Sequence, residues 1–141
     1  AINAGFALIE LMIVLAIVCI LTAVAYPTYS GHVLRSHRTQ VQSQLLQAAH
    51  WLERAALATG RYPTNTQQTD ALSALQSQLS NTRYAIHIDS IDGASFVLFA
   101  TPQSAQTQDL CGTLTLSHAG ERGILNPPTS STMTAAQCWS Q

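Results

Sequence analysis

Charge is scarce in this sequence. Of 141 residues only 9% are Asp, Glu, Lys or Arg, and lysine is absent. The six cations are Arg35, Arg38, Arg54, Arg61, Arg83 and Arg122, and the net charge is −1. That balance leaves no electrostatic footprint for general nucleic-acid binding. Metal-ligand spacing is missing too. Five histidines (His32, His37, His50, His87, His118) are scattered with no C-x-x-C or H-E-x-x-H partner. His50 and Glu53 share a helix face, but two candidate ligands do not make a zinc site. The C-terminal half offers only Asp89, Asp92, Asp109 and Glu121, too few for a calcium loop that needs six or more oxygens. No Gly-rich phosphate loop, G-x-S-x-G or paired-carboxylate motif is present. The sequence therefore predicts no enzyme, no cofactor and no metal.

Apolar residues, by contrast, are plentiful and unevenly placed. They make up 47% of the chain, and much of that share sits in the first 25 positions. A chain this long has room for one globular domain plus one membrane helix. Phe6 to Ala25 reads FALIELMIVLAIVCILTAVA, 20 residues with one charge, Glu10, and one hydroxyl, Thr22. As a helix that run spans about 30 Å, the thickness of a bilayer's hydrocarbon core. A signal-peptide core would be shorter and followed by a small-residue cleavage site. Here the helical pattern continues, so the segment is expected to be retained. Glu10 is the anomaly, because a carboxylate in an apolar run is costly and functional by default. Its rival reading is a glutamate near a helix N-terminus, stabilised by the macrodipole and snorkelling to the interface.

Pro27 is expected to kink the helix rather than end it. Beyond it Val33, Leu34, Val41, Leu45, Ala48, Ala49, Leu52 and Ala56 recur at three- and four-residue spacings. They predict an amphipathic face, with Arg35, Arg38, Gln42 and Glu53 mainly on the opposite side. One helix from Phe6 to about Thr59 follows, roughly 80 Å long, ended by Thr59-Gly60 and Tyr62-Pro63. Residues 60–83 form a polar connection, holding a short helix over Asp70–Leu79 with Thr69 as N-cap and Leu72, Leu75 and Leu79 facing inward. Alternation predicts a strand over Tyr84–Ile91, a type I′ hairpin turn at Asp92-Gly93 and a return strand over Ala94–Thr101. Thr113–Ser117 is a third strand, ended by Ala119-Gly120-Glu121-Arg122-Gly123. Pro127-Pro128 and Thr129–Thr132 are loop, with a short final strand near Cys138-Trp139. Three or four antiparallel strands against the helix's C-terminal half make a one-core α+β domain over residues 34–141.

Three cysteines divide into two kinds. Cys19 lies in the apolar run, where a free thiol behaves as a small hydrophobe. Cys111 and Cys138 lie in the polar half and either stay as two thiols or close a loop of 28 residues, both ends counted. Closure would stabilise by roughly 3–4 kcal/mol in the chain-entropy model and would place this half in an oxidising compartment. Trp51 and Trp139 read as core or disulfide-packing residues rather than ligand platforms. Arg122 reads as part of a solvated turn or local salt bridge, with contact to DNA or a neighbouring subunit as the rival.

Gly5-Phe6-Ala7-Leu8-Ile9-Glu10-Leu11-Met12-Ile13-Val14 resembles the class III signal of type IV prepilins, G-F-T-L-I-E-L-M-I-V. The resemblance continues through Ala25-Tyr26-Pro27-Thr28-Tyr29, similar to the family's A-x-P-x-Y. It implies the type IV pilin fold, a long N-terminal helix packed on a small antiparallel sheet with a disulfide-closed C-terminal region. It also implies cleavage between Gly5 and Phe6 by a prepilin peptidase, and N-methylation of Phe6. Residues 1–5 are then a partial leader, residues 6–26 a transmembrane and filament-core helix, residues 27–59 its amphipathic half, and 84–141 the sheet and D-region. Glu10 would neutralise the amine of a neighbouring subunit, since a paired amine and carboxylate specify register where unpaired charges are expensive. Ala7 replaces the usual Thr, Ala1–Ala4 lack the usual basic residues, and Cys19 stands where Gly is frequent. The C-terminal half, Cys111-Gly112-Thr113-Leu114-Thr115-Leu116, Gly120-Glu121-Arg122-Gly123 and Cys138-Trp139, is similar to PilE-type minor pilins of Gammaproteobacteria. That similarity implies a Cys111–Cys138 disulfide bounding the D-region, while the thin acid set argues against the calcium-binding pseudopilins of type II secretion. The implied partners are other pilin subunits, the peptidase and an inner-membrane assembly platform, with a separate motor extracting the helix. The implied location is the inner membrane and then an extracellular pilus. Nucleic acid is not an expected partner.

Overall fold

The computed structural model describes residues 7–66 and 69–140. Two compact units divide the chain, Ala1–Val33 and Leu34–Gln141. Helix α1 runs Leu8–Thr59, with Pro27 inside it, so it contributes to both. Proline removes one N–H and crowds the preceding turn, and here helix continues beyond it.

In the second unit a four-stranded antiparallel sheet has the order β1-β2-β3-β4, with β1 Tyr84–Asp89, β2 Val97–Pro102, β3 Thr113–Ser117 and β4 Arg122–Leu125. Period-2 alternation turns Tyr84, Ile86, Ile88, Leu98, Ala100, Leu114 and Leu116 to one face, where they are buried. Val41, Leu45, Ala48 and Leu52 of α1 meet them there and complete the core, at the spacings expected for an amphipathic face. Helix α2, Thr69–Leu79, adds Leu72 fully and Leu75 and Leu79 partly. Thr69 is the first helical residue rather than a flanking cap, and its side chain lies outside the described residues.

Several local expectations are corrected. Arg38 and Gln42 lie on the buried face of α1, not the solvent face. Cys138-Trp139 belongs to a short helix, α3 (Ala135–Trp139), rather than a strand; Thr134 caps it reciprocally with Gln137. The fourth strand is instead Arg122–Leu125, so Arg122 and Gly123 open β4 and do not end a turn. Asp92-Gly93 does not form a two-residue type I′ turn. That turn needs positive φ at both residues, and only Gly93 has it, at 71°. Seven residues, Ser90 to Phe96, separate β1 from β2. The loop is held open by tertiary contacts. Phe96 is buried edge-on against Tyr62, with ring centroids 4.8 Å apart, and Tyr62 N donates to Gly93 O at 2.9 Å. The Asp92 carboxylate accepts from the N–H groups of Ala94 and Ser95, and the Ala94 bond leads in holding its pKa below the usual carboxylate value.

Candidate functional site: an apolar helix and a disulfide-closed anchor

In the first unit the described part of α1 buries nothing. Its best 18-residue window has a mean hydropathy of 2.9 and none of it is buried within the chain. Leu8 is 82% exposed, Ile9 67%, Met12 66% and Ile20 66%. A continuous apolar surface of this size, long enough to cross a membrane, calls for lipid or for protein around it. Glu10 lies in the first turn of α1, its N–H donating to Ala7 O at 2.9 Å. A carboxylate is favoured there by the N–H groups left free at a helix start. Gly5 and Phe6 lie outside the described residues. Thr22 donates its hydroxyl back to Val18 O at 2.6 Å and Cys19 O at 3.0 Å, so the one hydroxyl of the run is satisfied within the helix. Cys19 is exposed and unbridged.

In the second unit Cys111 and Cys138 form a disulfide, with Cα atoms 5.8 Å apart. Gly112 follows with φ +62°, and a Cβ there would meet Leu125 O at 2.6 Å, so only glycine fits. Around the bridge sits a buried polar cluster. Arg38 Nη1 donates to Asp109 Oδ1 at 2.6 Å and lies 2.9 Å from Cys111 Sγ, with both partners of the ion pair 3% exposed. The remaining Asp109 oxygen accepts from Tyr84 Oη at 3.3 Å and Gln106 Nε2 at 3.1 Å. Gln106 also donates to Leu34 O at 3.0 Å, and Gln42 donates to Cys138 O at 2.8 Å. Burial raises the Tyr84 phenol above its ordinary pKa, and the adjacent Asp109 carboxylate pushes the same way. The cluster thereby ties three successive turns of α1, at Leu34, Arg38 and Gln42, to the segment before Cys111 and to the far end of the bridge.

This anchor was invisible to sequence reasoning, which placed Arg38 and Gln42 in solvent and gave Asp109 no role. The only sequence signal for the Arg38–Asp109 pair is opposite charge, shared with every other Arg–Asp combination in the chain, and Gln42 offers none. Other candidates are separated rather than assembled. Glu53 accepts from Tyr62 Oη at 2.8 Å while His50 is exposed, and no group of three or more metal-ligating side chains occurs among the described residues. Arg122 lies over the Trp139 ring, 5.4 Å from guanidinium carbon to centroid, and Trp139 Nε1 donates to Gly123 O at 3.0 Å. Trp139 is thus a packing residue beside the disulfide, and Arg122, exposed as expected but at the start of β4 rather than in a turn, stacks on it.

Comparison with known proteins places these features in a family. Residues 27–115 match the model of "Type IV minor pilin ComP, DNA uptake sequence receptor", and residues 2–26 match the prokaryotic N-terminal methylation motif. A type IV major alpha-pilin of Moraxella bovis is 40% identical over 65 residues, covering 46% of this chain and 40% of the relative. A type II secretion system core protein G of Klebsiella michiganensis is 32% identical over 80 residues, covering 57% of this chain and 56% of the relative. The chain therefore spans about half or less of the length of these two curated relatives. A solved type IV pilin from Shewanella oneidensis superposes with a TM-score of 0.53 at 28% identity, covering 77% of this chain and 99% of the solved one. With a methylation motif running into an apolar α1, and an antiparallel sheet beside the Cys111–Cys138 bridge, the chain belongs to the type IV pilin family.

Proposed function

We propose that this protein is a minor structural subunit of a type IV pilus, incorporated into the filament or its priming complex and supporting assembly, twitching motility and adhesion. The observation that carries the proposal is the apolar half of α1, exposed along its length and bearing one carboxylate, Glu10. Such a helix is stable in lipid and equally stable among copies of itself, so one segment serves for storage and for the filament core. A peptidase cuts between Gly5 and Phe6, the new Phe6 amine is methylated, and Glu10 pairs with that amine on a neighbouring subunit. An ion pair fixes axial register where a purely apolar helix would slide. Pro27 supplies a kink between the two halves of the helix. The partners are other pilin subunits, the prepilin peptidase and an inner-membrane assembly platform, and the role is structural rather than enzymatic. The matched family description favours a minor subunit over a major one or a type II secretion pseudopilin.

Mass spectrometry of sheared filaments tests this directly. Trace abundance of the chain beginning at N-methylated Phe6, and its loss from filaments of a Glu10→Ala strain, is the expected result. A filament subunit that still carries Gly5 ahead of Phe6 overturns the processing step.

The same description supports a second reading, a minor pilin that captures DNA. Against it stand the near-neutral charge and the burial of Arg38, one of only six cations. Filter binding with the purified chain in neutral detergent should show no affinity that weakens as salt rises; a steep salt slope would favour this second role.

A further inference from the structure

The two sulfurs of the bridge are not equivalent. Cys111 Sγ accepts from Arg38 Nη1 at 2.9 Å, whereas Cys138 Sγ receives no hydrogen bond among the described residues. Exposure does not distinguish them, since both cysteines are 0% exposed. Few polar groups surround Cys111. Arg38 reaches it from α1, and Asp109 Oδ1 accepts both from Arg38 Nη1 at 2.6 Å and from the Cys111 N–H at 3.2 Å. Tyr84 of β1 and Gln106 donate to the other Asp109 oxygen as neutral groups, and from α3 comes Cys138 itself. Both carboxylate oxygens are thus occupied by donors, and the group that meets the Cys111 sulfur is the guanidinium.

We infer that Arg38 makes Cys111 the attacking thiolate in the closure of its own disulfide, with Cys138 the sulfur that carries the mixed disulfide beforehand. The thiolate is the nucleophile in thiol–disulfide exchange, and a cation within hydrogen-bond reach favours it over the thiol. The same cation offsets the burial that would otherwise hold the proton on sulfur. Closure takes two exchanges with a donor disulfide, RS–SR. In the first, the Cys138 thiolate attacks the donor, forming Cys138–SR and releasing one RS⁻. In the second, the Cys111 thiolate attacks Cys138 Sγ, the Cys111–Cys138 bond forms, the Cys138–SR bond breaks and the second RS⁻ leaves. Each cysteine proton ends on a released RS⁻, and two electrons pass to the donor. Only the second exchange depends on the fold, because Arg38 reaches Cys111 when α1 packs on the segment before it. Docking of the helix and closing of the loop are thereby coupled. By microscopic reversibility, an incoming thiolate that opens the bridge attacks Cys138 and expels Cys111.

The test uses the full chain in detergent micelles with Cys19→Ser, which removes the exposed free thiol. In the reduced, folded protein the β-carbon NMR resonance of Cys111 should titrate at least about one pH unit below that of Cys138. In guanidinium the two titrations should converge. Opening of the closed protein by glutathione, quenched in acid and mapped by mass spectrometry, should favour glutathione on Cys138 over Cys111 by at least about fivefold. Arg38→Lys, which keeps a cation, should retain that bias, and Arg38→Gln should lose it. The titration needs no substitution at the anchor, so it decides the question even where Arg38→Gln unfolds the domain. Coincident titrations in the folded protein, or an even split of glutathione, overturn the inference. A bias that persists in guanidinium or in Arg38→Gln overturns it too, since local sequence or access would then set the preference. None of these readouts requires a filament, so they stand or fall separately from the pilus assignment.

Discussion

Arg38→Ala should lower the unfolding free energy of the second unit by about 3–5 kcal/mol, because it leaves the Asp109 carboxylate buried without its cation. At this size that corresponds to a fall in melting temperature of about 10 °C or more, read by near-ultraviolet circular dichroism. The magnitude rests on burial. Arg38 and Asp109 are each 3% exposed, so water cannot take over the solvation that the guanidinium supplies. An exposed pair of the same geometry would be worth only about 0–1 kcal/mol. The mechanism separates from simple loss of volume by a second comparison. Replacing both partners, as Arg38→Met with Asp109→Leu, removes the stranded charge but also takes the acceptor from the buried Tyr84 hydroxyl and Cys111 N–H, so it should recover only part of the loss. A melting point for Arg38→Ala within 2 °C, roughly the noise of such a measurement, would falsify the anchor as a stabilising element.

Cys138→Ser is the second large effect. Opening the Cys111–Cys138 loop should cost about 2–5 kcal/mol, chiefly by freeing the unfolded chain in the entropic account. The bridge is also coupled to α1. Arg38 lies 2.9 Å from Cys111 Sγ, and Gln42 donates to the carbonyl of Cys138 itself. Reduction therefore loosens the polar anchor in addition to lengthening the loop. The two substitutions should be non-additive, the Arg38→Ala, Cys138→Ser double variant being less destabilised than the sum by at least about 0.5 kcal/mol. Full additivity in urea unfolding would show the bridge and the anchor to be independent.

The parts of the molecule readable from sequence are those set by local periodicity. Helix α1 through Pro27 to Thr59, the inward leucines of α2, and the strand Thr113–Ser117 all follow from spacing within a few residues. The loop at Asp92-Gly93 was misread because Phe96 buries itself against Tyr62, and that contact outweighs the local preference for a tight turn. The segment at Cys138-Trp139 was misread because five residues carry too little pattern to tell strand from helix. What settles it is the Thr134–Gln137 cap together with the bridge.

Arg38 and Gln42 show the limit most clearly. Hydrophobic periodicity sorts residues by polarity, so it assigns an arginine and a glutamine to solvent whatever lies across from them. Their partners, Asp109 and the Cys138 carbonyl, are 71 and 96 residues away along the chain. By itself the sequence determined the family, the apolar helix with its single carboxylate, and the helix-then-sheet order, because each is written in contiguous residues. The tertiary structure decided which polar residues enter the core, because burial of a charge or an amide is permitted only when distant groups meet it.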